Sequence, residues 1–254
     1  MLLVIDIGNT NTTIGCYKGQ ELCFTARCTT DDRKTGDEYA IDLFNILRLN
    51  DIEAQSISDC VVSSGVPVVD RAFKYAVKKV IGKNPLSVGP GVKTGLNIKI
   101  DNPAQLGADL VAGAVAAISK YPLPCIVLDL GTATTISVID ENGYYLGGSI
   151  CAGVGITLQA LSSKTAQLPS VSIEAPKNPI GTNTIDCMKS GLVLGTAAMI
   201  DGMISRIEKQ LSKTATIIGT GGLCQTVSSY CEREIIVDDN LLLDGLRIIY
   251  EKNM

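Results

Sequence analysis

The chain has 254 residues, 46% of them hydrophobic and 19% charged, which suffices for one large or two smaller packed domains and is too apolar for a disordered tail. A formal net charge of −4 with no run of Lys or Arg excludes the electrostatic footprint of a non-specific nucleic-acid or anionic-membrane binder. With no His at all, Ser-His-Asp and Cys-His catalysis, HExxH zinc sites and a histidine base are excluded, so acid–base chemistry falls to Asp, Glu, Lys, Tyr or Cys.

The chain opens on Leu2-Leu3-Val4-Ile5, a run with the character of a buried strand, which ends in Asp6-Ile7-Gly8 and continues through a Thr-rich stretch to Gly15. It has no basic residues ahead of it and is too short for a secretory signal, which points to the cytoplasm. A helix follows over 37–49, with Ile41, Phe44, Ile46 and Leu47 expected on its buried face. Asp59-Cys60-Val61-Val62 reads as a strand ending in the small residues Ser63-Ser64-Gly65, and 71–80 as a basic helix buried through Phe73, Ala76 and Val80. Residues 106–118 predict an Ala- and Val-rich helix buried on most sides. The turn Lys120-Tyr121-Pro122-Leu123-Pro124 then marks a seam, giving domains 1–119 and 120–254.

Past the seam the opening returns. Cys125-Ile126-Val127-Leu128 ends in Asp129-Leu130-Gly131, and a Thr-rich stretch through Thr132, Thr134 and Thr135 follows. Residues 191–211 read as a helix on Leu192, Met199, Met203 and Ile207, residues 215–222 as a strand ending in Gly219-Thr220-Gly221-Gly222, and 241–250 as a last helix. Each half is therefore a hairpin sheet followed by β/α alternation: a duplicated α/β fold with mixed sheets. No segment approaches the roughly 18 apolar residues of a membrane span. The nine Cys, an odd number without a CxxC pair, read as reduced core thiols.

A Gly after an apolar strand is expected to turn with φ > 0 and bring backbone N–H groups against a phosphate, with Thr and Asn side chains as further donors. The preceding Asp suits a hydrated Mg²⁺ that bridges to the phosphate, since Mg²⁺ keeps its waters and takes only one or two carboxylates. One such loop is equally a plain β-turn; two together suggest a grip on a nucleotide. No P-loop and no GxGxxG is present.

The duplicated pattern resembles the actin-like ATPase and sugar-kinase superfamily. Asp6-Ile7-Gly8-Asn9-Thr10, Asn102-Pro103 with Gly107-Ala108-Asp109, Asp129-Leu130-Gly131-Thr132-Ala133, Gly147-Gly148-Ser149-Ile150, Gly181-Thr182-Asn183-Thr184 and Leu243-Asp244-Gly245-Leu246 are, in that order, similar to type III pantothenate kinase. The resemblance implies two RNase H-like domains with a nucleotide cleft between them. It implies ATP-dependent phosphorylation of the primary hydroxyl of pantothenate, the first step to coenzyme A, by a homodimer that uses Mg²⁺ and a monovalent cation, K⁺ or NH₄⁺. On the same ground, Asp6, Ile7, Gly8, Asn9, Thr10, Asn11, Thr12 and Thr13 form the ATP phosphate loop with Thr132 in the second loop. Asp6 holds Mg²⁺ through water, Asp129 binds K⁺ and Asp109 is the proton acceptor. Gly107, Ala108, Asp109, Leu110 and Thr184 bind pantothenate, Thr184 from the partner subunit.

Read from the residues alone, Asp109 serves equally as a base or as a negative charge at a helix N-terminus, and Thr184 equally as a helix cap. The chain also departs from the family pattern: Leu110 stands in place of an Arg, Ile100 of a Tyr and Ala152 of a Pro. These departures leave two alternatives, a kinase of another small alcohol and a nucleotide-binding homologue with a regulatory or partner-binding role.

Overall fold

The computed structural model describes residues 1–254. In chain order the elements are β1 (Leu2–Ile7), β2 (Asn11–Lys18), β3 (Glu21–Thr29), α1 (Gly36–Leu49), β4 (Asp59–Ser64), α2 (Pro67–Ile81), β5 (Leu86–Ser87), β6 (Asn97–Ile98), α3 (Ala108–Lys120), β7 (Cys125–Leu130), β8 (Ala133–Ile139) and β9 (Tyr144–Ala152). Then come α4 (Val154–Lys164), α5 (Thr184–Lys189), a π-helical turn (Ser190–Leu194), α6 (Gly195–Leu211), β10 (Thr216–Thr220), α7 (Cys224–Ser228), β11 (Ile236–Val237) and α8 (Leu241–Glu251).

The chain divides into two units. The first comprises Met1–Gly95, Asn102–Ala116 and Leu241–Met254, the second Leu96–Asp101 and Ala117–Asn240. The division falls inside α3, a few residues before the expected seam, and α8 belongs to the first unit although it ends the chain. The sheet of the first unit runs β3-β2-β1-β4-β5 and that of the second β9-β8-β7-β10-β11, with β6 added beyond β9. In both, an antiparallel meander is continued by parallel strands, the same mixed sheet built twice. The expected pair of RNase H-like units is what the chain forms.

In the first unit, alternate residues of β1 (Leu3, Ile5 and Ile7) enter a core with α1 and α2. Helix α1 opens with a capping box, Thr35 and Glu38 exchanging side-chain and backbone hydrogen bonds. Its buried face is Tyr39, Ala40, Leu43 and Leu47, and the Tyr39 ring lies 4.6 Å from that of Phe73. Ile41 and Phe44, expected inside, are exposed, because α1 carries apolar residues on both sides and its tyrosine decides which side docks. On the other face of the sheet α8 covers β1, and a Cβ on Gly245 would fall 1.9 Å from the Ala112 carbonyl oxygen, so α8 and α3 pack backbone to backbone.

In the second unit the core gathers Ile126, Leu128, Leu130, Ile136, Leu192, Ala197, Ile200 and Ile204. Met199, Met203 and Ile207 only flank it, because the helix starts earlier than expected, at Thr184, and its π turn resets the phase. This continuous helix, Thr184–Leu211, is long and apolar enough to cross a membrane, contrary to the expectation that no segment approaches that length; here it lines the core of its unit. All nine cysteines are free thiols; Cys16, Cys60, Cys125 and Cys224 are buried as expected, whereas Cys23 and Cys187 are exposed. Burial pushes the Cys16 thiol up to about 11 and those of Cys125 and Cys224 to about 12, which leaves them inert.

Candidate active site

The two Asp-x-Gly hairpins are superimposable in register. Asp6 pairs across to Thr13 on β2 and to Ser63 on β4; Asp129 pairs to Thr135 on β8 and to Thr220 on β10. Residues directly opposite in a sheet share a face, so each acid is flanked by two hydroxyl side chains. Both acids are half-buried. The strand ends are tied alike: Gly65 N–H donates to the Ile7 carbonyl at 3.1 Å, and Leu223 N–H to the Leu130 carbonyl at 3.2 Å.

The turns differ by one residue. In the first, Gly8 N–H donates to the Asn11 carbonyl at 3.1 Å; in the second, Gly131 N–H donates to the Ala133 carbonyl at 3.1 Å. Neither glycine has a positive φ, which corrects the expectation of a left-handed turn. The requirement is close approach instead: a Cβ would lie 3.0 Å from the Asn11 carbonyl oxygen at Gly8 and 3.2 Å from Asp129 Oδ1 at Gly131. The first loop is anchored from outside, since Thr30 N–H donates to the Thr10 carbonyl at 3.0 Å and the Thr12 and Thr30 hydroxyls bond at 2.9 Å. Asn9, Thr10 and Asn11 are left exposed, as a loop that meets a ligand requires, while Ile7 and Thr12 are buried and Thr13 is half-buried. Of the eight residues assigned to this loop, Ile7 and Thr12 thus serve it from the sheet.

Behind the second loop stand two glycines that sequence reasoning did not assign to the site. Gly153 abuts the loop at the start of α4, where a Cβ would fall 2.3 Å from the Thr132 carbonyl oxygen. A helix N-terminus there favours negative charge, the electrostatics that a phosphate wants. Gly221, at the end of β10 with φ +95°, lies against Asp129, its Cβ position 2.5 Å from Oδ1. Thr132 itself is exposed.

No group of three or more His, Cys, Asp or Glu side chains is placed to hold a metal. Single carboxylates of this kind fit Mg²⁺ that arrives on a nucleotide and keeps most of its waters. Around Asp129 the donor chemistry is that of oxygen ligands: the opposite Thr135 has a buried hydroxyl with no hydrogen-bond partner in the protein. A buried orphan hydroxyl is costly unless something fills its valence.

Asp109 lies in the first turn of α3 and is exposed; its Oδ1 accepts the Leu110 N–H at 2.8 Å. A Cβ on Gly107 would come within 2.4 Å of that oxygen, so the glycine makes room for this rotamer. Gly107, Ala108 and Leu110 are half-buried, and Leu110 is not a core residue. The helix at Thr184 is capped by Asn183, whose side chain accepts the Asp186 N–H, so Thr184 does not cap it and its side chain is exposed. Ile100 packs its Cγ2 3.6 Å from the Cβ position of Gly147, an apolar contact.

A relative from Halalkalibacterium halodurans named Type III pantothenate kinase is 42% identical over 254 residues, the whole of both chains. One from Syntrophotalea carbinolica with the same name is 41% identical over 253 residues, covering 100% of this chain and 99% of its own. Among solved structures, a conserved putative Baf family transcriptional activator from Campylobacter jejuni has a TM-score of 0.63 at 22% identity, covering 99% of this chain and 98% of its own; this likeness shows a shared fold. The family model described as Type III pantothenate kinase matches residues 2–206, which include both Asp-x-Gly hairpins, Asp109 and Thr184. With hairpin register, loops and helix α3 in the arrangement described and full-length identity of this order, the chain belongs to the type III pantothenate kinase family.

Proposed function

We propose that the protein transfers the γ-phosphoryl group of ATP to the primary hydroxyl of pantothenate, forming 4'-phosphopantothenate, the first step of coenzyme A biosynthesis. The observation that carries this reading is full-length identity of 42% to a type III pantothenate kinase, joined to two intact Asp-x-Gly hairpins. Residues 6–13 and Thr132 hold the phosphates of ATP through backbone N–H groups and hydroxyls. Asp6 holds Mg²⁺ through water, and the ion supplies charge neutralisation on the phosphates. Asp129, with Thr135 opposite, holds K⁺ or NH₄⁺. Asp109 accepts the proton of the attacking hydroxyl, without which a primary alcohol is a poor nucleophile. Gly107, Ala108 and Leu110 bind pantothenate, and exposed Thr184 serves the acceptor site of a partner subunit in a cytoplasmic homodimer.

The test is an ADP-release assay with ATP, Mg²⁺ and pantothenate, run in K⁺ and in Na⁺ at equal ionic strength beside light scattering. Activity in K⁺, a marked loss in Na⁺ and a dimer are expected. Equal rates in both salts would remove the cation from Asp129, and an active monomer would remove Thr184 from the acceptor site.

A second reading, a kinase of another small alcohol, draws on the two apolar replacements Leu110 and Ile100. ADP release with a panel of small alcohols, pantothenate first, decides between them, and Leu110→Arg tests whether position 110 reads the substrate. The position is half-buried at a helix start, so a long side chain can extend to water there and the variant is expected to fold. If pantothenate is the substrate, its KM is expected to fall about 10-fold, the worth of about 1.4 kcal/mol. An unchanged KM in a folded variant means that this position does not read the substrate.

A further inference from the structure

Ser63 is the last fully buried residue of β4, at 0% exposure, and it lies in parallel register beside Asp6. Its Oγ–H donates to Asp6 Oδ1 at 2.5 Å. A serine hydroxyl has one proton to give, and this one goes to the acid of the first loop. We propose that Ser63 is a positioning residue that fixes the Asp6 carboxylate for the divalent cation carried by ATP. The proposal rests on the reading of Asp6 as the Mg²⁺ residue.

The argument is geometric. A side-chain carboxylate rotates broadly about its last torsion, and a hydrated ion bridged to phosphate is held well only if the carboxylate plane is set beforehand. A hydroxyl bond to one oxygen sets that plane, and a carboxylate with about four lone-pair sites keeps acceptor capacity for the water shell. Because Ser63 is buried and Asp6 half-buried, the bond is made from the interior side and is shielded from competing water. In the second unit the equivalent acid is Asp129, paired in register with Thr135 and Thr220. Asp129 Oδ1 is confined by the backbone of Gly131 and Gly221, and the Thr135 hydroxyl opposite it has no protein partner.

The test uses the full-length protein with Mn²⁺ as the probe, its binding to the complex with a non-hydrolysable ATP analogue followed by electron paramagnetic resonance. The Mg²⁺ dependence of turnover and the thermal midpoint are measured beside it. Ser63→Ala is expected to weaken Mn²⁺ binding and raise the half-saturating Mg²⁺ about 10-fold, the loss of one hydrogen bond to a charged group. The KM for pantothenate should stay in place. Ser63→Cys, which keeps the volume and gives up the strong donor, should follow Ala, and Ser63→Thr should restore most of the effect. In an Asp6→Asn background, Ser63→Ala should change nothing further. Wild-type Mn²⁺ affinity in Ser63→Ala, an equal loss in both backgrounds, or no rescue by Thr overturns the proposal. If Asp6→Asn alone leaves Mn²⁺ binding intact, the Asp6 reading fails and the proposal with it, an outcome distinct from a silent Ser63.

Discussion

Asp109→Asn is expected to lower kcat by roughly 10²–10⁴ while leaving ATP affinity unchanged, the usual contribution of a positioned base. The substitution isolates proton acceptance with little else disturbed. The one hydrogen bond that Oδ1 makes within the first turn, from the Leu110 N–H, is equally available to an amide oxygen. The competing role is also visible in the structure, since a carboxylate in the first turn of α3 complements the helix N-terminus. That role is worth about 0.3–1 kcal/mol of stability, whereas a 10²–10⁴ loss of rate corresponds to roughly 2.7–5.5 kcal/mol of barrier. The two differ in size and in the quantity they move. Single-turnover rates beside nucleotide binding and a thermal melt separate them: near wild-type turnover with a slightly lower midpoint would leave Asp109 as a helix charge only.

What the sequence made legible is local and repeated. The apolar run, the acid and the glycine recur, and a strand buried on both faces ending in a turn follows from that pattern, so β1 and β7 and their hairpins lie where the residues put them. The identical registers of Asp6 with Thr13 and of Asp129 with Thr135 follow in turn, because a one-residue slip would move every side chain to the wrong face. The face of α1 was not legible. Ile41 and Phe44 have helical spacing as good as Leu43 and Leu47, and only the meeting of Tyr39 with Phe73 on another helix decides between them. Nor could the sequence show α8 joining the first unit, a pairing of chain ends that depends on Gly245 against Ala112. At the site, the acids and the loop residues stood out by chemistry. Their supports, Ser63, Gly153 and Gly221, did not, because each acts through approach in space by a residue type common in any strand end or loop.

Gly221 is where that hidden support is expected to matter most. Its φ of +95° is one that L side chains rarely adopt, and a Cβ there would meet Asp129 Oδ1 at 2.5 Å, Leu130 C at 2.6 Å and Leu130 N at 2.7 Å. Two of these three neighbours are backbone atoms, and they have nowhere to retreat. Leu130 is paired with Thr134 on β8, and its carbonyl accepts the Leu223 N–H at 3.2 Å. Relief in Gly221→Ala therefore comes from moving the Asp129 carboxylate or the end of β10. Strain of this kind costs about 1–3 kcal/mol, and a displacement of the order of 1 Å at a catalytic group costs about 10² in rate. The expected result is a folded protein with a lowered thermal midpoint, about 10²-fold weaker turnover and a blunted difference between K⁺ and Na⁺. Gly89→Ala, where a Cβ meets nothing within 4 Å, is the control for glycine replacement as such and should leave all three readings in place. A Gly221→Ala enzyme with a full K⁺ response would mean that the carboxylate of Asp129 does not need this glycine, and the second loop would have to be held by Gly131 and Gly153 alone.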